Sequence, residues 1–350
     1  YSDYGYSIRH TSDDSYVVAG SFQPSNANNG DVFVVKTNSL GDEAWSLVFG
    51  GDDTDRAWSI TQNTDETFIM VGTTESYGTY GSIWINQLTP ESYYGPVWHV
   101  STSGSDSNDG SAILPFASIQ HAIDATRDGD TVLVQPGTFD ENLNFNGKNI
   151  VVGSLFLTTQ DTSYISQTII DGNQNGSVVV IGSGESASSM LSGFVIQNGL
   201  NGDGGAIQVV NSHPTLDHLV ITNCTANNSA GGIYLYNSES VVSNSTIFNT
   251  TWAHSGGILG WGGSPTLINL LIYNNQGGVA GGIKADACNM TIKHSTIVKN
   301  MNSGIWAGNT TTINIENSIF YKNGASPSDQ IVNGGSTRNV SYSLVEGGYA

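Results

Sequence analysis

Three side chains of this 350-residue chain have types and spacing suited to proton chemistry: Lys284, Asp286 two residues on, and His254. A lysine can act as base with a carboxylate or an imidazole as partner, and abstraction of a proton beside a substrate carboxylate is the reaction such a set suits. That reaction also asks for a charge neutraliser, Ca2+ or an arginine, and no arginine stands between Arg127 and Arg338. A glycosidase would instead need two carboxyls about 5–9 Å apart, and one acid stands close to Lys284. Around these residues run aromatic side chains: Tyr234, Tyr236, Trp261 and Trp306, with Gln208 and Asp203 beside them. Rings of this kind stack on the C–H faces of sugars while amides and hydroxyls meet sugar hydroxyls. The set therefore reads as a platform for polysaccharide. The plainer alternatives are a Lys284–Asp286 salt bridge, His254 as a polar rim residue, and rings that lie under a loop. His213 and His218 stand isolated and read as turn or surface residues. Gly-x-Ser-x-Gly, a P-loop and His-Glu-x-x-His are all absent.

The platform exists only if the chain stacks on itself, and the spacing says that it does. Ile196, Ile221, Ile247, Ile272, Ile297 and Ile319 recur every 22 to 26 residues, and Ile207, Ile233, Ile258, Ile283 and Ile305 keep step with them. Gly-Gly or Ser-Gly precedes most members of the second series. Asn198, Asn223, Asn249 and Asn274 follow the first series by two places, with Asn300 one place late. Short strands with small corner residues at this period are the mark of a solenoid. The leucine-rich repeat has a similar period, but its Leu-x-x-Leu-x-Leu pattern and helical arm are missing. A parallel β-helix fits, with isoleucines filling the interior and asparagines bonded from turn to turn. Side chains alternate along a strand, so Gln208 and Val210, Tyr234 and Tyr236, Leu259 and Trp261, Lys284 and Asp286, and Trp306 all point outward, on rungs about 4.8 Å apart.

Before these rungs, Trp98–Gly110 forms a strand and a turn cluster, Pro115–Thr126 has helical spacing at 116, 119, 122 and 123, and Gly129–Phe139 supplies further strand. Ser105–Gly110 is rich in Asp and is the one place to consider for Ca2+, but it lacks the alternating ligands of an EF-hand loop and reads as a capping turn. This run resembles the N-terminal cap of right-handed parallel β-helix proteins of the pectin-lyase-like class. The resemblance covers residues 97–350. It implies the fold, with one N-terminal capping helix, more strongly than any function, because the class holds lyases, hydrolases, epimerases and non-catalytic surface proteins. Lyases of the class usually carry an arginine on such a face. The paired aspartates and Gly-His-Gly of the pectin hydrolases and the Asp-Pro-His of the epimerases are missing here.

Residues 1–90 have a different repeat. Asp3–Ile8 returns as Asp55–Ile60 and Tyr16–Ser21 as Phe68–Thr73, both 52 residues later, and Gly30–Val35 returns as Gly81–Asn86 after a one-residue slip. A fourth strand, Ala44–Phe49, completes the first copy. The pattern resembles bacterial repeats thought to form β-propeller blades, and implies a small antiparallel segment of two blade-like repeats. A linker over 91–96 and the β-helix over 97–350 follow, the latter ending within a rung whose edge is open to self-association.

The fold class expected is thus all-β. Thirty acids against ten bases give a net charge of −20 and a pI near 4.3, which disfavours nucleic acid and anionic membranes. No run of 18 apolar residues exists to insert in a membrane, and two cysteines exclude a disulfide scaffold or a multi-Cys metal module. Low charge and abundant Asn, Ser and Thr suit an extracellular or cell-surface protein. The expected function is polysaccharide binding through the aromatic face. The alternatives are a lyase or glycoside hydrolase of acidic glycans, and a structural or adhesive solenoid that self-associates through its open end.

Overall fold

The computed structural model describes residues 2–348 except 13, 24–28, 52, 64–66, 78–80, 89–96, 253 and 309. It divides into two compact units, Tyr1–Tyr94 and Gly95–Ala350. The segment read as a linker, residues 91–96, lies outside the described residues.

In the first unit, β1 (Ser2–His10), β2 (Tyr16–Gln23), β3 (Asp31–Thr37) and β4 (Glu43–Phe49) form one antiparallel sheet, and β5 (Asp55–Gln62), β6 (Phe68–Thr74) and β7 (Ser82–Leu88) a second. The repeat in sequence is a repeat in shape. Both sheets carry an irregularity at the same place, Gly5/Ser7 in one and Ala57/Ser59 in the other. Gly20 and Gly72 occupy equivalent positions facing it, where a Cβ would strike the carbonyl oxygen of Tyr4 or Arg56. Val17, Ala19, Val32 and Val34 of the first sheet share a dry core with Ala57, Ile60, Phe68 and Met70 of the second.

The second unit is a parallel solenoid. Among the described residues it has three long faces, of ten, nine and eight parallel strands, and a four-stranded strip made by Leu200–Asn201, Thr225–Ala226, Thr251–Trp252 and Gln276–Gly277. Ile207, Ile233, Ile258, Ile283 and Ile305 pair in register and are fully buried, so the second isoleucine series is an interior column. The first series holds as far as Ile297. There Phe320, and not Ile319, is the inward partner of Ile297, while Ile319 faces out. That rung is short by two residues, and counting 22 from Ile297 lands one place early on the opposite side of the strand.

The asparagine series resolves into two columns. Asn198, Asn223, Asn249 and Asn274 are corner residues in the left-handed region, with φ of 54 to 56°, and Lys299 and Lys322 continue that column at 55 and 53°. Asn300 belongs instead to a buried ladder. It accepts from the backbone N–H and the amide of Asn275 at 3.1 Å, and its own amide donates to Asn323 at 3.0 Å and to the Ile272 carbonyl at 2.9 Å.

At the N-terminal end, α1 (Ile119–Ala125) buries Ile119, Ala122 and Ile123. Two carboxylates hold its start. Glu141 accepts from Ile119 and Gln120 N–H at 2.8 Å, and Asp106 accepts from the N–H of Ala117 and Ser118 and from the Ser118 hydroxyl, each at 2.9 Å. The Asp-rich turn thus places Asp106 as a cap, and no group of three or more metal-binding side chains occurs among the described residues. Burial opposes ionisation of Asp106, yet the hydrogen bonds from Ser118 and Ala117 hold its carboxyl below the usual carboxylate range. Two further helices, α2 (Phe156–Thr159) and α3 (Ser163–Gln167), add to the single expected one. One turn each is too short to leave a periodic pattern in sequence.

Candidate functional site

The aromatic residues sit on the eight-stranded face, on strands Ile207–Val210, Ile233–Ser238, Ile258–Gly263, Ile283–Asp286 and Ile305–Ala307. Pairing puts the outward residues in two rows. One runs Gln208, Tyr234, Leu259, Lys284, Trp306; the other runs Val210, Tyr236, Trp261, Asp286. Both rows point away from the interior, but Tyr234, Leu259 and Lys284 in the middle of the first are buried while Tyr236 and Trp261 in the second are open to water. Tyr236 is 40% and Trp261 47% exposed, whereas Tyr234 and Lys284 are each 8% exposed.

Tyr234 and Leu259 are covered because Ala230 packs against them, with Val210 beside them. Ala230 stacks on Ser255 and Ala280, the column of small residues that leads into these strands. Tyr234 is therefore corrected from the ligand face to a buried outer cluster. Strand alternation decides on which side a side chain lies, and the arm folding back over that side decides whether water reaches it. Burial, with Asp203 and Tyr236 nearby, pushes the Tyr234 hydroxyl up to about 12, against a hydrogen bond with Ser229. The Ser229 hydroxyl also donates to Asp203. Asp203 thus joins the support of Tyr234, and Gln208 is half-buried one rung before it.

Lys284 is held on three sides. Its Nζ lies 3.5 Å from Asp286 Oδ2, 6.0 Å from the centroid of Trp261 and 5.3 Å from that of Trp306. Trp306, half-buried, rests over backbone that must be glycine: a Cβ on Gly308 or Gly334 would come within 2.7 Å of its ring. The ammonium is an ion-paired cation between two indoles, and removing a substrate proton would require it to leave all three partners. His254 is exposed, and its backbone carbonyl accepts from the N–H of Val279 and Ala280, while the Asp286 carboxylate pairs with Lys284. The arrangement brings Lys284 and Asp286 together.

The sequence reading missed a groove at the Asn198–Lys322 corner column. A cavity of about 670 Å³ there is lined by Asn249, Asn274, Gln276, Lys299, Asn302 and Lys322 among others. Its signal was present in the spacing: Lys299 follows Asn274 by 25 residues and Lys322 follows by 23. Taking Asn300 as a late member of the column hid both lysines. The two cysteines are free and buried, and burial pushes the Cys224 thiol up to about 12 and the Cys288 thiol to about 11. Neither thiol is available as a nucleophile at neutral pH.

Residues 186–343 match the family model described as right handed beta helix region. Among solved structures, XylC in its complex with xylose is 13% identical, with 65% of this chain and 62% of that chain covered and a TM-score of 0.48. The pectate lyase Pel9A is 15% identical over 65% of this chain and 63% of its own, with a TM-score of 0.43. Pectin methylesterase from carrot is 15% identical over 72% and 90%, with a TM-score of 0.38. The match therefore spans less than two thirds of the first two chains. No match was found among curated proteins. The pairing of the rungs and the family model agree: the second unit contains a right-handed parallel β-helix.

Proposed function

We propose that the β-helix binds polysaccharide through Tyr236, Trp261 and Trp306, in an extracellular or cell-surface setting. The observation that carries this reading is the pair of exposed rings on adjacent rungs, Tyr236 directly opposite Trp261, with Lys284 fixed between Trp261 and Trp306. A rung spacing of about 4.8 Å lines the rings up along the solenoid, as a sugar chain running down the face requires. Lys284 and Asp286 neutralise one another, so the platform itself carries no net charge. Their role here is to hold the indoles and to offer polar contacts at the platform's edge. The two sheets of the first unit are read as two blade-like repeats.

A panel of immobilised glycans tests this. Trp261→Ala and Trp306→Ala should each weaken retention by roughly five- to tenfold without forming product. Release of unsaturated or reducing ends from an acidic glycan, lost in Lys284→Ala, would replace the binding reading with a lyase or hydrolase. Absence of both binding and turnover across the panel would leave the solenoid as a structural element.

A further inference from the structure

The Asn198–Lys322 corner column changes its chemistry along the solenoid. Asn274 donates from its amide to Asn249 Oδ1 at 2.5 Å, so neighbouring asparagines satisfy one another. The next two places are Lys299 and Lys322, both exposed. They stand on neighbouring rungs, because Thr296–Val298 pairs with Ile319–Tyr321 and each lysine follows its strand directly. Rungs lie about 4.8 Å apart, and like charges facing one another across neighbouring strands are destabilising. Both lysines also hold φ in the left-handed region, at 55 and 53°, which asparagine tolerates better. Two ammonium groups thus occupy places where the local structure favours amides.

Other ammonium groups of the second unit are committed within the fold. Lys148 donates to the carbonyls of Ile123, Asp124 and Thr126, Lys284 pairs with Asp286, and Lys293 pairs with Glu316 at 3.4 Å. Lys322 instead lies 5.3 Å from the centroid of Tyr321, and Glu346 in the rung beyond accepts its backbone N–H at 2.7 Å. The cavity of about 670 Å³ that Lys299 and Lys322 line has no acid among its described lining residues. In a chain of thirty acids and ten bases, both charges on its wall are positive. A second cavity of about 520 Å³ shares Thr251, Gln276, Met301 and Asn302 with the first and reaches Trp252. The two make one groove, on a different face from the Tyr236–Trp261 platform. We infer that this groove is a separate binding site for a short saccharide bearing one carboxylate. The carboxylate sits between Lys299 and Lys322, where it removes their repulsion and accepts charge-assisted hydrogen bonds. The remaining sugars lie along Gln276 and Asn302, whose amides suit hydroxyls, toward the indole of Trp252, which suits C–H faces. The net charge of −20 repels long polyanions, so the ligand is an isolated acidic residue in an otherwise neutral chain.

Isothermal titration of the full chain tests this with three probes: cellotriose, the same trisaccharide with a terminal glucuronic acid in place of one glucose, and inorganic sulfate. Each is run on the wild type and on Trp261→Ala, which separates the groove from the platform. The acidic trisaccharide should bind at least about tenfold more tightly than cellotriose, to the same extent in both proteins, and its affinity should fall as salt rises. Lys299→Asn and Lys322→Asn put the column's own residue at left-handed corners, and circular dichroism checks that they keep the fold. Each should weaken the acidic trisaccharide by roughly tenfold and leave cellotriose unchanged. Equal binding of the two trisaccharides by the wild type overturns the proposal, as does undiminished binding when both lysines are replaced. Sulfate that binds as tightly as the acidic trisaccharide reduces the site to an adventitious ion only and overturns it too. Loss of the acidic trisaccharide in Trp261→Ala would assign that ligand to the platform and overturn the separate site.

Discussion

At the scale of single residues, burial separates groups that the sequence makes look alike. Lys284 and Asp286 have the types for acid–base work, but the ammonium lies between Trp261 and Trp306 and against a carboxylate. Asp31 and Asp55 in the first unit stand far apart in the sequence and are brought together by the fold. Asp55 is fully buried; one of its oxygens accepts from the Gly51 N–H at 3.0 Å and the Ser76 hydroxyl at 2.7 Å, and the other has no donor among the described residues. A Cβ on Gly50 would collide with the carboxylates of both Asp31 and Asp55, so glycine is required where the two acids converge. Burial first, and the charge of Asp55 second, raise the Asp31 carboxyl above the usual range. The folded state therefore keeps this proton to higher pH than the unfolded chain does. Stability from this group is greatest below about pH 4 and falls as pH rises through the raised value. Asp31→Asn should remove that fall and stabilise the first unit at neutral pH by less than about 1 kcal/mol. Thermal unfolding of wild type and variant at pH 4 and pH 7 checks it: the two should differ more at the higher pH.

At the scale of elements, the β-helix depends on columns of like residues whose roles differ by one place in the chain. Asn300 and Asn274 look interchangeable in a list of recurring asparagines. Asn300 is buried, and its amide serves the neighbouring rungs on both sides. Asn274 is an exposed corner residue with φ of 55°, bonded to Asn249. Asn300→Ala should cost about 3 kcal/mol, because it strands buried donors and acceptors on Asn275 and Ile272. Asn274→Ala should cost about 1 kcal/mol, the backbone preference for a residue that tolerates left-handed φ. Urea midpoints of the two variants measure the difference, and equal losses would refute the two-column assignment. The period of the interior isoleucines was legible because a strand that slips by one place turns its apolar residue to water. The short rung ending at Phe320 was not, because a deletion of two residues leaves a plausible Ile319 in the expected position.

At the scale of the whole molecule, a net charge of −20 with only 11% charged residues sets a long-range negative field. The proposed platform at Tyr236 and Trp261 has Lys284 and Asp286 paired beside it, so the binding proposed for it rests on stacking and hydrogen bonds. Uncharged glycans should be retained better than polyanionic ones of similar length, since the field repels the latter. Retention of an uncharged glycan should change little with salt, while any retention of a polyanion should rise as salt screens the repulsion. Affinity measured at low and high ionic strength decides this, and a polyanion bound best at low salt would point instead to the lysines of the Asn274–Lys322 groove. No helix among the described residues is long and apolar enough to cross a membrane.

The sequence alone determined that residues beyond 97 stack as a β-helix and that residues 1–90 hold two copies of one unit. As far as the rung of Ile297, it also determined which side chains leave the solenoid interior. These follow from period and alternation, which are properties of neighbours along the chain. Only the tertiary structure decided which outward residues meet water. Tyr234 and Tyr236 are two places apart on one side of one strand, and Ala230 covers the first and not the second. Ile83 and Val32 are equivalent in sequence, and a second sheet covers only Val32. Cover of this kind comes from segments distant along the chain, and short-range pattern carries no record of it.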